Sequence, residues 1–128
     1  MRRIVYISTA DGLSDVQVDA IVSGAARNNL ATQVSGFLLY NGRNFLQMIE
    51  GENAEIAELI GVIEADDRHN GIVRLIDDGI ETRSCADWAM RQIVMLEDLA
   101  QRRDGLRKIL PELDAATGGL VNNFALLN

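Results

Sequence analysis

One cysteine, one proline, one histidine and one tryptophan occur in 128 residues, and several of these scarcities exclude a class of protein. Cys85 alone can close no internal disulfide and build no cysteine zinc site. His69 alone rules out a histidine-built metal centre, and the sequence places no partner beside it for acid–base catalysis. No apolar run reaches the roughly 18 residues that a membrane helix needs. The first residues, Met1-Arg2-Arg3-Ile4-Val5-Tyr6, enter a strand pattern directly, with no apolar signal region. The expectation is therefore a cytoplasmic chain without a secretory leader and without a membrane partner. A net charge of −7 argues against direct nucleic-acid binding, because phosphate contacts want a basic face. Internal repeats and low-complexity segments are absent too.

What is present suffices for one domain with a real core, since 48% of the residues are hydrophobic. The strongest local pattern is a β-hairpin over residues 35–51. Two apolar runs flank Asn41-Gly42, a dipeptide suited to a type I′ turn with both central residues at positive φ. Strand alternation sends Phe45, Gln47 and Ile49 to one face and Leu46, Met48 and Glu50 to the other. Gln47 is thus an amide on the covered face. It either bonds a nearby backbone group or serves a polar ligand, since a buried amide without partners costs free energy.

Residues 3–8 read as a strand, with Ile4, Tyr6 and Ser8 on one face and Val5 and Ile7 on the other. Ser14 and Gln17 form a capping box for a helix running to about Asn28, whose buried stripe is Val18, Ile21, Val22 and Ala25. Asn28 and Asn29 continue that stripe as polar intrusions, and one of them suits a helix C-cap. A second helix, capped by Asn53, has Ile56, Leu59, Ile60 and Ile63 on its apolar face. It runs out through Asp66-Asp67-Arg68-His69, where Arg68 and His69 suit the negative end of the helix dipole. A strand over 72–76, a turn at Asp77-Asp78-Gly79, a connector over 83–87 and a last strand over 88–95 follow. That last strand has Trp88, Met90, Gln92 and Val94 on one side.

The order β-α-β-β-α-β-β predicts an α+β, ferredoxin-like sandwich with both helices on one sheet face. The tail predicts the cover for the other face. Residues 97–110 are helical in pattern, with Leu99, Leu106, Ile109 and Leu110 on one side. Pro111 breaks the helix, Leu113 begins a shorter piece and Gly118-Gly119 interrupts again. Leu120, Val121, Phe124, Leu126 and Leu127 make an apolar end suited to packing on the sheet or on another subunit.

Several motifs recur together at matching separations over residues 3–95. These are Tyr6, Ala26-Arg27-Asn28-Asn29, Val34-Ser35-Gly36-Phe37-Leu38-Leu39-Tyr40, Phe45-Leu46-Gln47-Met48-Ile49-Glu50-Gly51, Asp66-Asp67-Arg68-His69, and Arg83 followed by Trp88-Ala89-Met90. In them the chain resembles a BLUF domain, a blue-light sensor using flavin adenine dinucleotide (FAD). The resemblance implies a ferredoxin-like core at 1–96 and a C-terminal helical cap or output segment at 97–128. It implies a flavin ring between the two helices, flanked by Ile21 and Ile63, with Phe45 nearby. Asn29 would bond the polar edge of the ring, Asn28 the ribityl or phosphate portion, and Arg68 and His69 would lie near the diphosphate.

By the same resemblance Gln47 sits between the flavin edge and the Tyr6 hydroxyl. Tyr6 gives up an electron and a proton on excitation, and Gln47 ends rotated, tautomerised or both. Trp88 and Met90 then relay the change to the tail or a partner, and no substrate is turned over. The implied partner is a separate signalling protein whose identity the sequence does not select, with cyclic-dinucleotide enzymes and transcription regulators among the classes the resemblance offers, because the tail is too short for an attached enzymatic domain; a homo-oligomer is also expected. The sequence departs from the family at Val62, where a basic residue is usual, at Cys85, where an aromatic is usual, and at Ala89, where serine is common. Two other readings compete. One is a flavin-free regulatory module on the same fold. The other, ranked last, is an acylphosphatase-like enzyme, for which Thr9-Ala10-Asp11-Gly12-Leu13 makes a poor anion cradle.

Overall fold

In the computed structural model, which describes residues 1–127 without the side chain of Leu127, five strands form one mixed sheet in the order β4-β1-β3-β2-β5. They are β1 (Arg2–Thr9), β2 (Ser35–Tyr40), β3 (Asn44–Gly51), β4 (Asn70–Gly79) and β5 (Arg91–Gln92). The first four pair antiparallel, and β5 adds to β2 in parallel. Helices α1 (Asp15–Thr32) and α2 (Asn53–Ala65) lie on one face. Helices α3 (Leu99–Ile109) and α4 (Ala115–Leu127), joined through a 3₁₀ turn at Leu110–Glu112, supply apolar residues to the core on the other face. The expected α+β, ferredoxin-like arrangement forms, with a helical extension on the face that its two core helices leave open.

Strand alternation sorts the core into two layers. Ile4, Tyr6, Leu38, Phe45 and Ile49 meet Val18 of α1 and Ile56 and Ile60 of α2. Val5, Phe37, Leu39, Leu46 and Met48 meet Leu106, Ile109, Leu113, Val121, Phe124 and Ala125. Each fully buried large side chain of this kind contributes about 1.5–3 kcal/mol. That burial outweighs the roughly 1 kcal/mol that each helical glycine costs, so α4 runs unbroken through Gly118-Gly119, where an interruption was expected. Leu106 and Ile109 are buried as expected, whereas Leu99, in the first turn of α3, is exposed. Leu127, counted with the apolar end, has its side chain outside the described residues.

Other boundaries differ from the expectation for local reasons. The hairpin turn is not type I′. Gly42 has φ +91°, but Asn41 stays at negative φ. Its side chain accepts the backbone N–H of Arg43 and of Asn44 instead. A two-residue turn would set Leu38 opposite Phe45; the longer loop sets Leu38 opposite Gln47 and Tyr40 opposite Phe45. The shift is two residues, so every side chain keeps its face.

The capping box at Ser14 and Gln17 forms, but α1 continues one turn beyond Asn28. The carbonyl of Asn28 accepts the Thr32 hydroxyl, and that of Asn29 accepts the N–H of Gln33, the αL residue that ends the helix. Neither asparagine is therefore a C-cap. Helix α2 is preceded by Glu52 rather than capped by Asn53, and it stops at Ala65. Arg68 and His69 lie in the turn beyond it, not in its last turn. Strand β4 extends through Asp77-Asp78-Gly79, which pair with β1 instead of turning.

The largest difference is the last strand, reduced to Arg91–Gln92. Trp88 N–H closes a turn on the Cys85 carbonyl at 3.0 Å. Trp88 then packs on the α4 side against Phe37, with ring centroids 6.4 Å apart, while Met90 is buried on the α1–α2 side. Residues two apart in a strand would share a face. These two do not, and the irregular backbone between them is the reason.

Gly36 marks the tightest approach in the sheet, since a Cβ there would lie 1.9 Å from the Met48 carbonyl oxygen. Gly36→Ala is expected to cost more than about 3 kcal/mol, read as a lower urea midpoint at unchanged slope. A loss below about 1 kcal/mol would contradict this backbone contact.

Candidate functional site

Tyr6 and Gln47 stand directly opposite each other on β1 and β3. Alternation turns both toward the helices, and the register makes them neighbours. The Tyr6 hydroxyl donates to Gln47 Oε1. The other end of the amide, Nε2, faces Met90 Sδ at 3.7 Å, a weak acceptor. Both side chains are buried, at 2% and 8% exposure. The sequence left open whether Gln47 finds a backbone partner; the structure gives it a phenol and a thioether.

Above this pair lies a cleft of about 180 Å³ between α1 and α2. Ile21 and Ile63 line its helical walls, and Leu38 and Phe45 line the strand floor. Ala20, Gly24 and Asn28, successive one-turn steps along α1, keep that wall low on the side facing α2. Asn29 is 2% exposed and donates from Nδ2 to the Ala89 carbonyl at 2.5 Å. Asn28 is exposed at the mouth. Ala20, Gly24, Leu38 and Asp66 were not foreseen as lining residues. The small-residue spacing and the true hairpin register were the signals that would have found the first three.

Asp66 and Arg68 share the rim and hold each other. Arg68 Nη2 lies 2.5 Å from Asp66 Oδ2, and Nε is 3.0 Å from both carboxylate oxygens. Hydrogen bonds from Arg68 hold the Asp66 carboxyl below the usual carboxylate range, and Asp66 in turn raises the guanidinium. His69 is tied at both ring nitrogens. Nε2 is 2.7 Å from the Ile63 carbonyl, which can only accept, so Nε2 carries a proton; Nδ1 is 2.8 Å from Ser8 Oγ. Its ring stands edge-on to Tyr6 at 6.3 Å and to Phe45 at 6.5 Å. His69 therefore ties the end of α2 to β1 beside the phenol.

The departures from the family pattern also have places. Val62 is exposed and lines the cleft. Ala89 contributes its carbonyl to Asn29. Cys85 is buried outside the cleft, on the α4 side, and burial together with the Glu50 charge pushes its thiol up to about 12. Among the described residues no cluster of histidine, cysteine and carboxylate could hold a metal ion.

Chemically, the cleft suits a flat ring with a hydrogen-bonding edge. Its faces are aliphatic, and it offers three carboxamides, each both donor and acceptor: Gln47 and Asn29 buried and Asn28 at the mouth. Its volume is below the roughly 300–1,000 Å³ that encloses a whole drug-sized ligand. The cleft has room for a ring and leaves any attached tail to its open mouth.

A family model described as BLUF, sensors of blue-light using FAD, matches residues 1–91. The chain is similar to the blue light- and temperature-regulated antirepressor BluF of Escherichia coli (strain K12), 37% identical over 62 residues, covering 48% of this chain and 15% of that protein. It is also similar to the photoactivated adenylate cyclase subunit beta of Euglena longa, 30% identical over 94 residues, covering 71% of this chain and 11% of that one. The chain thus spans only a small part of the length of these curated relatives. Among solved structures, BlrB, described as a BLUF protein in its dark state, superposes with a TM-score of 0.71 at 30% identity, covering 98% of this chain and 90% of that one. Klebsiella pneumoniae BlrP1 with FMN and cyclic diGMP superposes with a TM-score of 0.82 at 28% identity, covering 97% of this chain and 34% of that one.

Burial above all, helped by the Asp66 charge, raises the Tyr6 phenol far above its ordinary value of 10.0. The folded chain thus keeps a proton that the unfolded chain releases, so stability that is complete below about pH 10 is lost as pH rises further. In a Tyr40→Phe chain, where Tyr6 is the remaining tyrosine, phenolate absorbance is expected to appear only with alkaline unfolding. Ordinary titration near pH 10 in the folded protein would contradict the burial.

Proposed function

This chain belongs to the BLUF family, the sensors of blue light using FAD, and from that membership we propose that the Tyr6–Gln47 pair is its light-responsive switch. The observation that carries the proposal is the phenol O–H donating to Gln47 Oε1 at the buried side of the cleft between α1 and α2. Bound FAD supplies absorption of blue light and an excited state that accepts an electron and a proton.

The chain's own residues do the rest. Tyr6, held protonated by burial, would give up that electron and proton and take both back on recombination, so that only the hydrogen bonds are left changed. The Gln47 amide has a donor and an acceptor end of nearly equal shape, so it can exchange its two partners without repacking the core. In the arrangement seen here Oε1 faces Tyr6 and Nε2 faces Met90. Rotation or tautomerisation would change what Met90 and the ring edge receive. Ile21 and Ile63 would sandwich the ring, Phe45 would support it, Asn29 would bond its polar edge, and Asn28 and Arg68 would meet the ribityl and diphosphate parts at the mouth. His69, bonded at both nitrogens, would act by fixing the α2 end of the cleft as well as by its place near the tail. The flavin-free module and the acylphosphatase-like enzyme do not fit a family defined by FAD.

The reading extends to output. Residues 1–96 would be the sensor and 97–128 the segment that reports its state. Met90 would sense the amide, and Trp88, on the opposite sheet face, would meet the C-terminal layer. The output would pass to a separate signalling protein in the cytoplasm, without substrate turnover by this chain. The names of the antirepressor and the light-regulated cyclases support a transcription regulator or a nucleotide-signalling enzyme as that partner. Val73 and Leu75, exposed on the edge strand β4, support self-association. No helix among the described residues is long and apolar enough to cross a membrane.

The purified protein is expected to be yellow, to shift its flavin absorption modestly to the red under blue light, and to recover in the dark. Gln47→Leu should retain the flavin and lose the shift. Flavin absorption in the parent chain that light leaves unmoved, or an undiminished shift in Gln47→Leu, would refute the proposed switch.

A further inference from the structure

Glu50 is fully buried, three residues along β3 from Gln47 and on the opposite face. Its carboxylate gathers five donors. Arg3 Nε and Nη2 reach Oε2 at 3.2 and 3.0 Å, and the Ser84 backbone N–H reaches it at 3.2 Å. The Cys85 backbone N–H and the Ser35 hydroxyl reach Oε1 at 2.7 and 3.3 Å. Arg3 is itself buried, at 8% exposure, and spends its remaining donors outward. Nη2 also reaches Ser84 Oγ at 2.7 Å, and Nη1 reaches Asp114 Oδ1 at 3.1 Å. Asp114 begins α4: its Oδ2 accepts the Thr117 N–H at 3.2 Å and its carbonyl accepts the Gly118 N–H at 2.8 Å.

The segment 84–90 is therefore pinned at two ends. Ser84 and Cys85 hang on Glu50, while Ala89 bonds Asn29 and Met90 touches Gln47. Midway, the Trp88 carbonyl accepts the Gly36 N–H at 2.8 Å. A buried ion pair is a poor way to stabilise a sheet, because removing two charges from water offsets most of their attraction. It is a good way to tie three segments to one geometry.

We propose that Arg3 and Glu50 are positioning residues for output: they couple the 84–90 segment, which touches the Gln47 amide, to the N-terminus of α4 through Asp114. A shift of this segment moves two of the five donors of Glu50. Arg3 then redistributes between Glu50 and Asp114, and the first turn of α4 loosens. The inference rests on the light-switch reading above.

The test is amide hydrogen exchange in the dark and under blue light, with the absorption spectrum recorded on the same samples. In the parent chain, light is expected to speed exchange at Thr117 and Gly118. Asp114→Asn keeps a capping side chain but removes the charge that Arg3 meets. It should retain the red shift and its dark recovery and lose the light-dependent difference in exchange. Arg3→Lys, which keeps the charge without the fork, should do the same. Should that buried variant fail to fold, Asp114→Asn carries the test alone, since its side chain is 39% exposed. A red-shifting parent chain whose α4 amides exchange equally in light and dark would overturn the coupling, as would an undiminished difference in Asp114→Asn. A parent chain without a red shift would instead overturn the reading on which it rests.

Discussion

A carboxamide inside a protein must be bonded at both ends or it costs free energy, and the helix-facing layer is arranged around that requirement at Gln47. The antiparallel register places Tyr6 opposite it to serve the acceptor end. Met90, delivered by an irregular segment, serves the donor end only weakly. The amide is thus held firmly at one end and loosely at the other.

The sheet separates the cleft from the C-terminal layer without distancing them. Residues that face the cleft alternate along the same strands with residues that face α4, so Gln47 and Glu50 are three positions apart yet belong to different layers. A strand is stiff along its length. The irregular connection between layers is the 84–90 segment, which joins no strand ladder until Arg91. It presents Met90 to one layer and Trp88 to the other.

Much of this was legible in the sequence, because period-two alternation over residues 3–8 and 44–51 is a local property that tertiary packing preserves. The faces of Tyr6 and Gln47 followed from it directly. The C-cap assigned to Asn28 or Asn29 failed because Thr32 and Gln33, further on, satisfy the carbonyls that would otherwise have ended the helix. The shared face of Trp88 and Met90 failed because alternation holds only where a ladder keeps the backbone extended. The Arg3–Glu50–Asp114 connection could not be read at all. Its members are separated by 47 and 111 positions from Arg3, and no local pattern announces a pairing of that range.

The buried thiol of Cys85 has a practical consequence. With its pKa pushed up to about 12, the thiol keeps its proton near neutral pH, and the side chain is covered as well. Slow reaction of the folded chain with maleimides and iodoacetamides is the expected result. A cysteine introduced on the surface, on α3 or along the edge of β4, can carry a fluorophore or spin label with no need to remove the native one. Distances between the two layers then become measurable in the otherwise unaltered chain.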